Sequence, residues 1–98
     1  MEALSEQQIT ERLQGLNGWK RNDLEGRPGI TKIFPTGDFL SGLGFVTQVA
    51  VLAEKVNHHP DVVLTYPKVS IQLSTHDARG LTHKDFELAA QIDQLRIG

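Results

Sequence analysis

The chain reads as an α+β two-layer domain, a four-stranded antiparallel sheet with three helices packed on one face, in the order α-β-β-α-β-β-α. Three observations predict it. Val69, Ile71 and Leu73 alternate with Ser70, Gln72 and Ser74, the period-two pattern of an antiparallel sheet with one covered face. Ile9, Leu13 and Leu16, and later a long run between Phe39 and Val56, recur at helical spacing. Turn chemistry, Glu25-Gly26-Arg27-Pro28-Gly29 and then Tyr66-Pro67-Lys68, separates the strands into two local hairpins, with the helices as the covering layer.

The first helix starts at Ser5, which has capping-box spacing to Gln8, and Gly18 is its expected stop. Trp19 follows as a core or rim anchor. Strands are expected at 19–24 and 30–36, the second with Ile30, Lys32 and Phe34 alternating against Thr31 and Ile33. Asp38 is a good N-cap for a helix running to about Asn57. Phe39, Leu43, Val46, Ala50 and Ala53 fall on one line of it, and Phe45, Val49, Leu52 and Val56 on the adjacent line. Gly42 and Gly44 each cost about 1 kcal/mol of helix propensity relative to alanine, and close approach of a neighbouring element is the expected reason for both. Val62-Val63-Leu64-Thr65-Tyr66 has strand composition; the next strand covers 69–75 and is closed by His76. After the loop Ala78-Arg79-Gly80, Thr82 and Asp85 cap the last helix, with the stripe Leu88, Ala89, Ile92 and Leu95.

Ninety-eight residues make one domain. With no cysteine and a formal net charge of −2, there is no disulfide framework, no thiolate chemistry and no nucleic-acid surface as the main business of the chain. The N-terminus lacks a secretory pattern and no apolar stretch reads as a membrane span. A soluble cytoplasmic protein is expected.

Glu54-Lys55-Val56-Asn57-His58-His59-Pro60-Asp61 is the stretch with chemistry in it. Pro60 disfavours helical geometry at the residue before it, so the helix should stop near Asn57 or His58. Two adjacent imidazoles on a regular helix would diverge by about 100°; a break lets both face one cavity. The third imidazole, His76, sits at the end of the 69–75 strand with Asp77 beside it. Glu54, one turn before His58, is placed to orient an imidazole. Convergence of His58, His59 and His76 would supply an acid and a base near neutral pH. Zinc held by the same three histidines is the alternative, but adjacent residues seldom present both nitrogens to one ion. Ser70, Ser74 and Thr75 lie near, yet no glycine-flanked nucleophile elbow surrounds them. His83 reads as a solvated surface histidine.

Taken together, Glu54-Lys55-x-x-His58-His59-Pro60, Tyr66-x-x-Val69, Ser74-Thr75-His76-Asp77 and Gly80-Leu81-Thr82-x-x-Asp85, with Gly18-Trp19 and Asp38-Phe39 upstream, resemble the pterin-4a-carbinolamine dehydratase family across 13–92. The resemblance implies a cytoplasmic lyase that converts 4a-hydroxytetrahydropterin to quinonoid dihydropterin and water, recycling the pterin of aromatic amino acid hydroxylases, with neither cofactor nor metal. It implies His58, His59 and His76 as catalytic imidazoles, substrate contacts on His58, His59, Pro60, Thr75, His76, Asp77 and Ala78, and Asp85 as a supporting acid. Asn57 stands where many members carry aspartate, Asp77 where the vertebrate branch has glutamate, and Thr36 where an apolar strand residue is common. A non-catalytic assembly or transcriptional-partner module on the same fold, and a related enzyme of molybdopterin metabolism, are the alternatives.

The two apolar lines of the 38–57 helix span about half its circumference, more than the ~100° needed to cover one sheet. Part of that arc is expected to meet a second copy across a two-fold axis. The resemblance likewise implies dimers or tetramers.

Overall fold

A computed structural model describes residues 2–97. The order is α1 (Glu6–Gln14), β1 (Lys20–Arg21), β2 (Ile30–Pro35), α2 (Phe39–Val56), β3 (Asp61–Thr65), β4 (Lys68–Leu73) and α3 (His83–Asp93). The sheet runs β1-β2-β4-β3 and every neighbouring pair is antiparallel. Both hairpins form, and they join through β2 and β4, in register from Ile30 opposite Leu73 to Pro35 opposite Lys68.

The alternation of each strand decides which face is covered. Ile30 and Phe34 on β2 and Val69, Ile71 and Leu73 on β4 are buried against Ile9 of α1, Phe45 and Val49 of α2, and Phe86, Leu88, Ala89 and Ile92 of α3. On the opposite face Ile33 and Val63 are more than half exposed. Lys32 points into the helical layer, where a cation would ordinarily be costly. Its Nζ meets Asp93 Oδ1 at 2.8 Å and the Asn17 carbonyl at 2.7 Å. Trp19 Nε1–H donates to the same Asp93 carboxylate at 3.1 Å, so the lone tryptophan ties β1 to the end of α3.

Local chemistry explains the helix starts. Ser5 and Gln8 form the reciprocal capping box of α1, and Thr82 and Asp85 form that of α3. Asp38 Oδ1 accepts the Ser41 N–H at 2.7 Å. That bond holds the Asp38 carboxyl below its ordinary range. Its stabilisation is therefore present near neutral pH and is lost as pH falls through the lowered folded-state value. Thr36, buried where an apolar residue was the common expectation, has its hydroxyl within 3.1 Å of the Pro67 carbonyl and 3.2 Å of that of Asp38.

Five expectations are corrected. Helix α1 stops at Gly15 rather than Gly18, because the Gly15 N–H already satisfies carbonyls of the last turn; Gly18, at φ +85°, instead turns the chain into the sheet. The first strand is two residues long, not six, since beyond Arg21 the chain closes a tight Leu24–Arg27 bridge. Strand β4 ends at Leu73, and His76 sits in the turn beyond a Thr75–Gly80 bridge. The buried line of α2 is Gly42, Phe45, Val49 and Ala53, while Phe39, Leu43 and Ala50 of the other expected line face outward. Finally, α2 itself, 18 residues at mean hydropathy 1.3, is long and apolar enough to cross a bilayer; here it lies across the sheet and supplies the core.

The two α2 glycines also separate. A Cβ on Gly42 would come within 2.7 Å of Leu64 Cδ1 and 3.2 Å of Thr36 Oγ1, whereas one on Gly44 would meet open space. Close approach explains Gly42 only. The tightest glycine is Gly29, entering β2: a Cβ there would lie 2.8 Å from the Asn22 carbonyl and against the Gln72 amide. Gly29→Ala is accordingly expected to destabilise the domain by about 1–3 kcal/mol, measured by urea denaturation. A midpoint equal to that of the unsubstituted protein would contradict the packing described.

Candidate active site

Helix α2 ends in a way that aims the two histidines. Asn57 adopts the left-handed conformation, φ 51° and ψ 47°, and its N–H bonds back to Ala53 and Glu54 carbonyls. The His58 N–H then reaches the Ala53 carbonyl at 3.1 Å, completing a Schellman-type cap. The helix is thus stopped by Asn57, a residue that tolerates αL, before Pro60 can act. The cap reverses the chain, so His58 turns inward and His59 outward.

His58 is 9 % exposed and Asp85 0 %. His58 Nε2 lies 2.6 Å from Asp85 Oδ1. The other carboxylate oxygen, Oδ2, accepts the Thr75 hydroxyl at 2.8 Å and the Thr82 N–H at 3.0 Å. Thr75 Oγ1 and Thr82 Oγ1 are 2.8 Å apart. One buried carboxyl group thus joins the imidazole at the end of α2, the strand end after β4 and the first turn of α3.

His59 Nε2 is 2.6 Å from Glu54 Oε2, with both side chains more than half exposed. Glu54 therefore partners His59 and not His58; the cap carries His58 off the helix face that Glu54 occupies. In water such a pair orients the ring more than it stabilises the fold. His76 stands exposed in the turn at 76–79, and among the described residues its ring has no hydrogen bond to protein.

All three imidazoles line one open cleft of about 380 Å³, together with Asn57, Pro60, Asp61, Ser74, Thr75, Asp77 and Lys84. Ala78 lies outside this lining. Asp61 and Lys84 were missed at the sequence level. Asp61 directly follows the His-His-Pro run, a proximity that could have drawn attention to it; Lys84, one residue from the capping Asp85, carries no comparable signal. Thr75 touches the cleft but commits its hydroxyl to Asp85. His83, exposed at the start of α3, is not part of the lining. Among the described residues, no three His, Asp or Glu side chains are gathered as a metal-binding group. A larger hollow, about 660 Å³, lies on the bare face of the sheet beside Ile33, Val63 and Gln72; it contains none of the imidazoles.

An α+β sheet–helix junction with three imidazoles on a small open cleft, one of them backed by a buried carboxylate, is equipped for proton transfer to and from a small molecule. The family profile described as Pterin 4 alpha carbinolamine dehydratase matches residues 2–95, and the chain belongs to that family. A Roseiflexus castenholzii protein with the provisional name pterin-4-alpha-carbinolamine dehydratase is 50 % identical over 92 residues, 94 % of this chain and 95 % of its own length. The crystal structure of a protein described as a transcriptional coactivator/pterin dehydratase from Brucella melitensis superposes with a TM-score of 0.85 at 36 % identity, covering 94 % of this chain and 96 % of that one. A pterin dehydratase-like protein identified as a RuBisCO assembly factor in the alpha-carboxysome shares the fold, with a TM-score of 0.65 at 22 % identity over 79 % of this chain and 87 % of its own.

The burial difference separates the three histidines by experiment. Removing His58 leaves the Asp85 carboxylate buried and short of one partner, so His58→Ala is expected to cost about 3 kcal/mol of stability. His59→Ala and His76→Ala, both at exposed positions, should stay within about 0.5 kcal/mol of the parent. Equal losses at all three positions in chemical denaturation would contradict the geometry.

Proposed function

We propose that the chain dehydrates 4a-hydroxytetrahydropterin to quinonoid dihydropterin and water, by histidine acid–base catalysis in the cytoplasm and without metal or cofactor, so returning the pterin of aromatic amino acid hydroxylases to use. The observation that carries the reading is the convergence of His58, His59 and His76 on one cleft, in a chain of this family. The reaction breaks the C4a–O bond, forms C4a=N5 and releases the N5 proton. One imidazolium must protonate the departing hydroxyl and one neutral imidazole must accept the ring proton. His59 and His76 reach solvent and can exchange protons with it between turnovers. His58 is fixed, and is suited to orient the substrate as well as to trade a proton with it. The polar chain around Ser74–Asp77 supplies hydrogen-bonding groups for a flat heterocycle.

The assay is quinonoid dihydropterin formation from freshly generated 4a-hydroxytetrahydropterin, before and after chelation. Replacing both His59 and His76 with alanine should lower kcat by about 10²–10⁴ and by less than the product of the single losses; His83→Ala should be silent. A double variant with unchanged kinetics, or activity that vanishes on chelation and returns with zinc, would contradict the reading. A binding module on the same fold is the second reading, favoured by the coactivator function in the description of the Brucella protein. The presence of all three imidazoles favours catalysis.

The same proposal includes a homo-oligomer through α2. Phe39, Leu40, Leu43 and Val51 on that helix are between 48 % and 77 % exposed, an apolar strip that a second copy would cover. Val49, also on α2, is fully buried and is unsuitable as a probe. Light scattering should give a mass well above 10.9 kDa, reduced by Val51→Glu. A wild-type mass of one chain would overturn this part.

A further inference from the structure

The hydrogen bonds around Asp85 run in one direction. The Lys84 N–H donates to Thr82 Oγ1 at 3.3 Å, and the capping box adds the Asp85 N–H to the same oxygen. Thr82 Oγ1 is thereby an acceptor of backbone protons and keeps its own proton to give away. Thr75 Oγ1 donates its single proton to Asp85 Oδ2 at 2.8 Å, so in the 2.8 Å contact between the two hydroxyls the donor is Thr82. Oδ2 also receives the Thr82 N–H. Both lone pairs of Oδ2 are thus engaged, and an ionised carboxyl group, the form that such donors favour, asks for a further donor at Oδ1, 2.6 Å from His58 Nε2. In a neutral imidazole only one nitrogen carries a proton. An accepting Oδ1 calls for that proton on Nε2. Among the described residues Nδ1 of His58 has no protein partner, and the ring borders the cleft.

We propose that Thr75 and Thr82 are positioning residues: with Asp85 they form a one-way relay from the backbone N–H groups at the start of α3, which pins the His58 proton on Nε2 and leaves Nδ1 as the nitrogen that exchanges protons in the cleft. Thr82 contributes through hydroxyl and backbone, Thr75 through its hydroxyl alone. The kinetic part rests on the dehydratase reading; the tautomer does not.

The decisive experiment is a long-range ¹H–¹⁵N correlation spectrum of the ¹⁵N-labelled full chain at a pH where imidazoles are neutral, with His58 assigned by its absence from His58→Gln. The expected pattern is a single Nε2–H tautomer for His58. In Thr75→Val, which keeps the shape and removes the hydroxyl, the pattern should become a mixture of tautomers. kcat should then fall about tenfold, the scale of losses seen for outer hydrogen-bond partners elsewhere, with KM nearly unchanged. Thr75→Ser should restore both. An Nδ1–H or mixed pattern in the wild type overturns the proposal even if no variant folds. A Thr75→Val spectrum identical to wild type overturns the part assigned to Thr75. An Nε2–H wild type that does not turn over the carbinolamine would support the relay and sink the dehydratase reading, so the two can fail separately.

Discussion

The Asp85 carboxylate is the constraint on which the site depends. It is wholly buried, yet it receives a partner from each of three segments: His58 after α2, Thr75 after β4 and the Thr82 N–H at the start of α3. His58 is 27 residues from Asp85 while Thr75 and Thr82 lie 10 and 3 away, and each segment leaves its element by a different local device. An αL asparagine cap ends α2, a narrow Thr75–Gly80 bridge follows β4, and a capping box opens α3. A buried charge is tolerated only when its hydrogen-bonding capacity is met. Meeting it here requires all three devices together, and their assembly places His58 beside the cleft.

The remaining two imidazoles are held differently, and the difference has chemical meaning. His59 and its partner Glu54 are in water, where the ring can reorient and exchange protons quickly. His76 rides an exposed turn. One fixed ring and two solvent-connected rings thus border the same cleft. The sheet contributes rigidity from behind: Leu73, fully buried, anchors the strand from which Thr75 and His76 emerge.

Much of this was legible in the sequence because its causes are local. Capping at Ser5, Asp38 and Thr82 and the β4 alternation could be read directly, as could the order of elements. The His-His-Pro run pointed to the cleft that the three histidines line together. Illegible features depended on partners distant in the chain. Glu54 was placed with His58 by helix spacing, but the Asn57 cap rotates His58 away and delivers His59 instead. The 2.6 Å bond between His58 and Asp85 spans 27 residues, and no periodicity announces it. Val49 and Leu43 are equally apolar, yet one is core and the other surface, because a hydrophobic arc wider than the sheet does not say where the sheet lies. Gly42 and Gly44 look alike until Leu64 is seen against only one of them.

In the proposed reaction a pterin occupies the imidazole cleft and not the larger hollow on the bare sheet face. The most direct measurement is a crystal structure, or a chemical-shift map, of the protein with a stable dihydropterin. Ring atoms are expected within hydrogen-bond reach of His58 Nδ1, with shifts confined to 57–61, 74–77 and Lys84. Occupancy beside Ile33, Val63 and Gln72, with the three imidazoles unmoved, would contradict it.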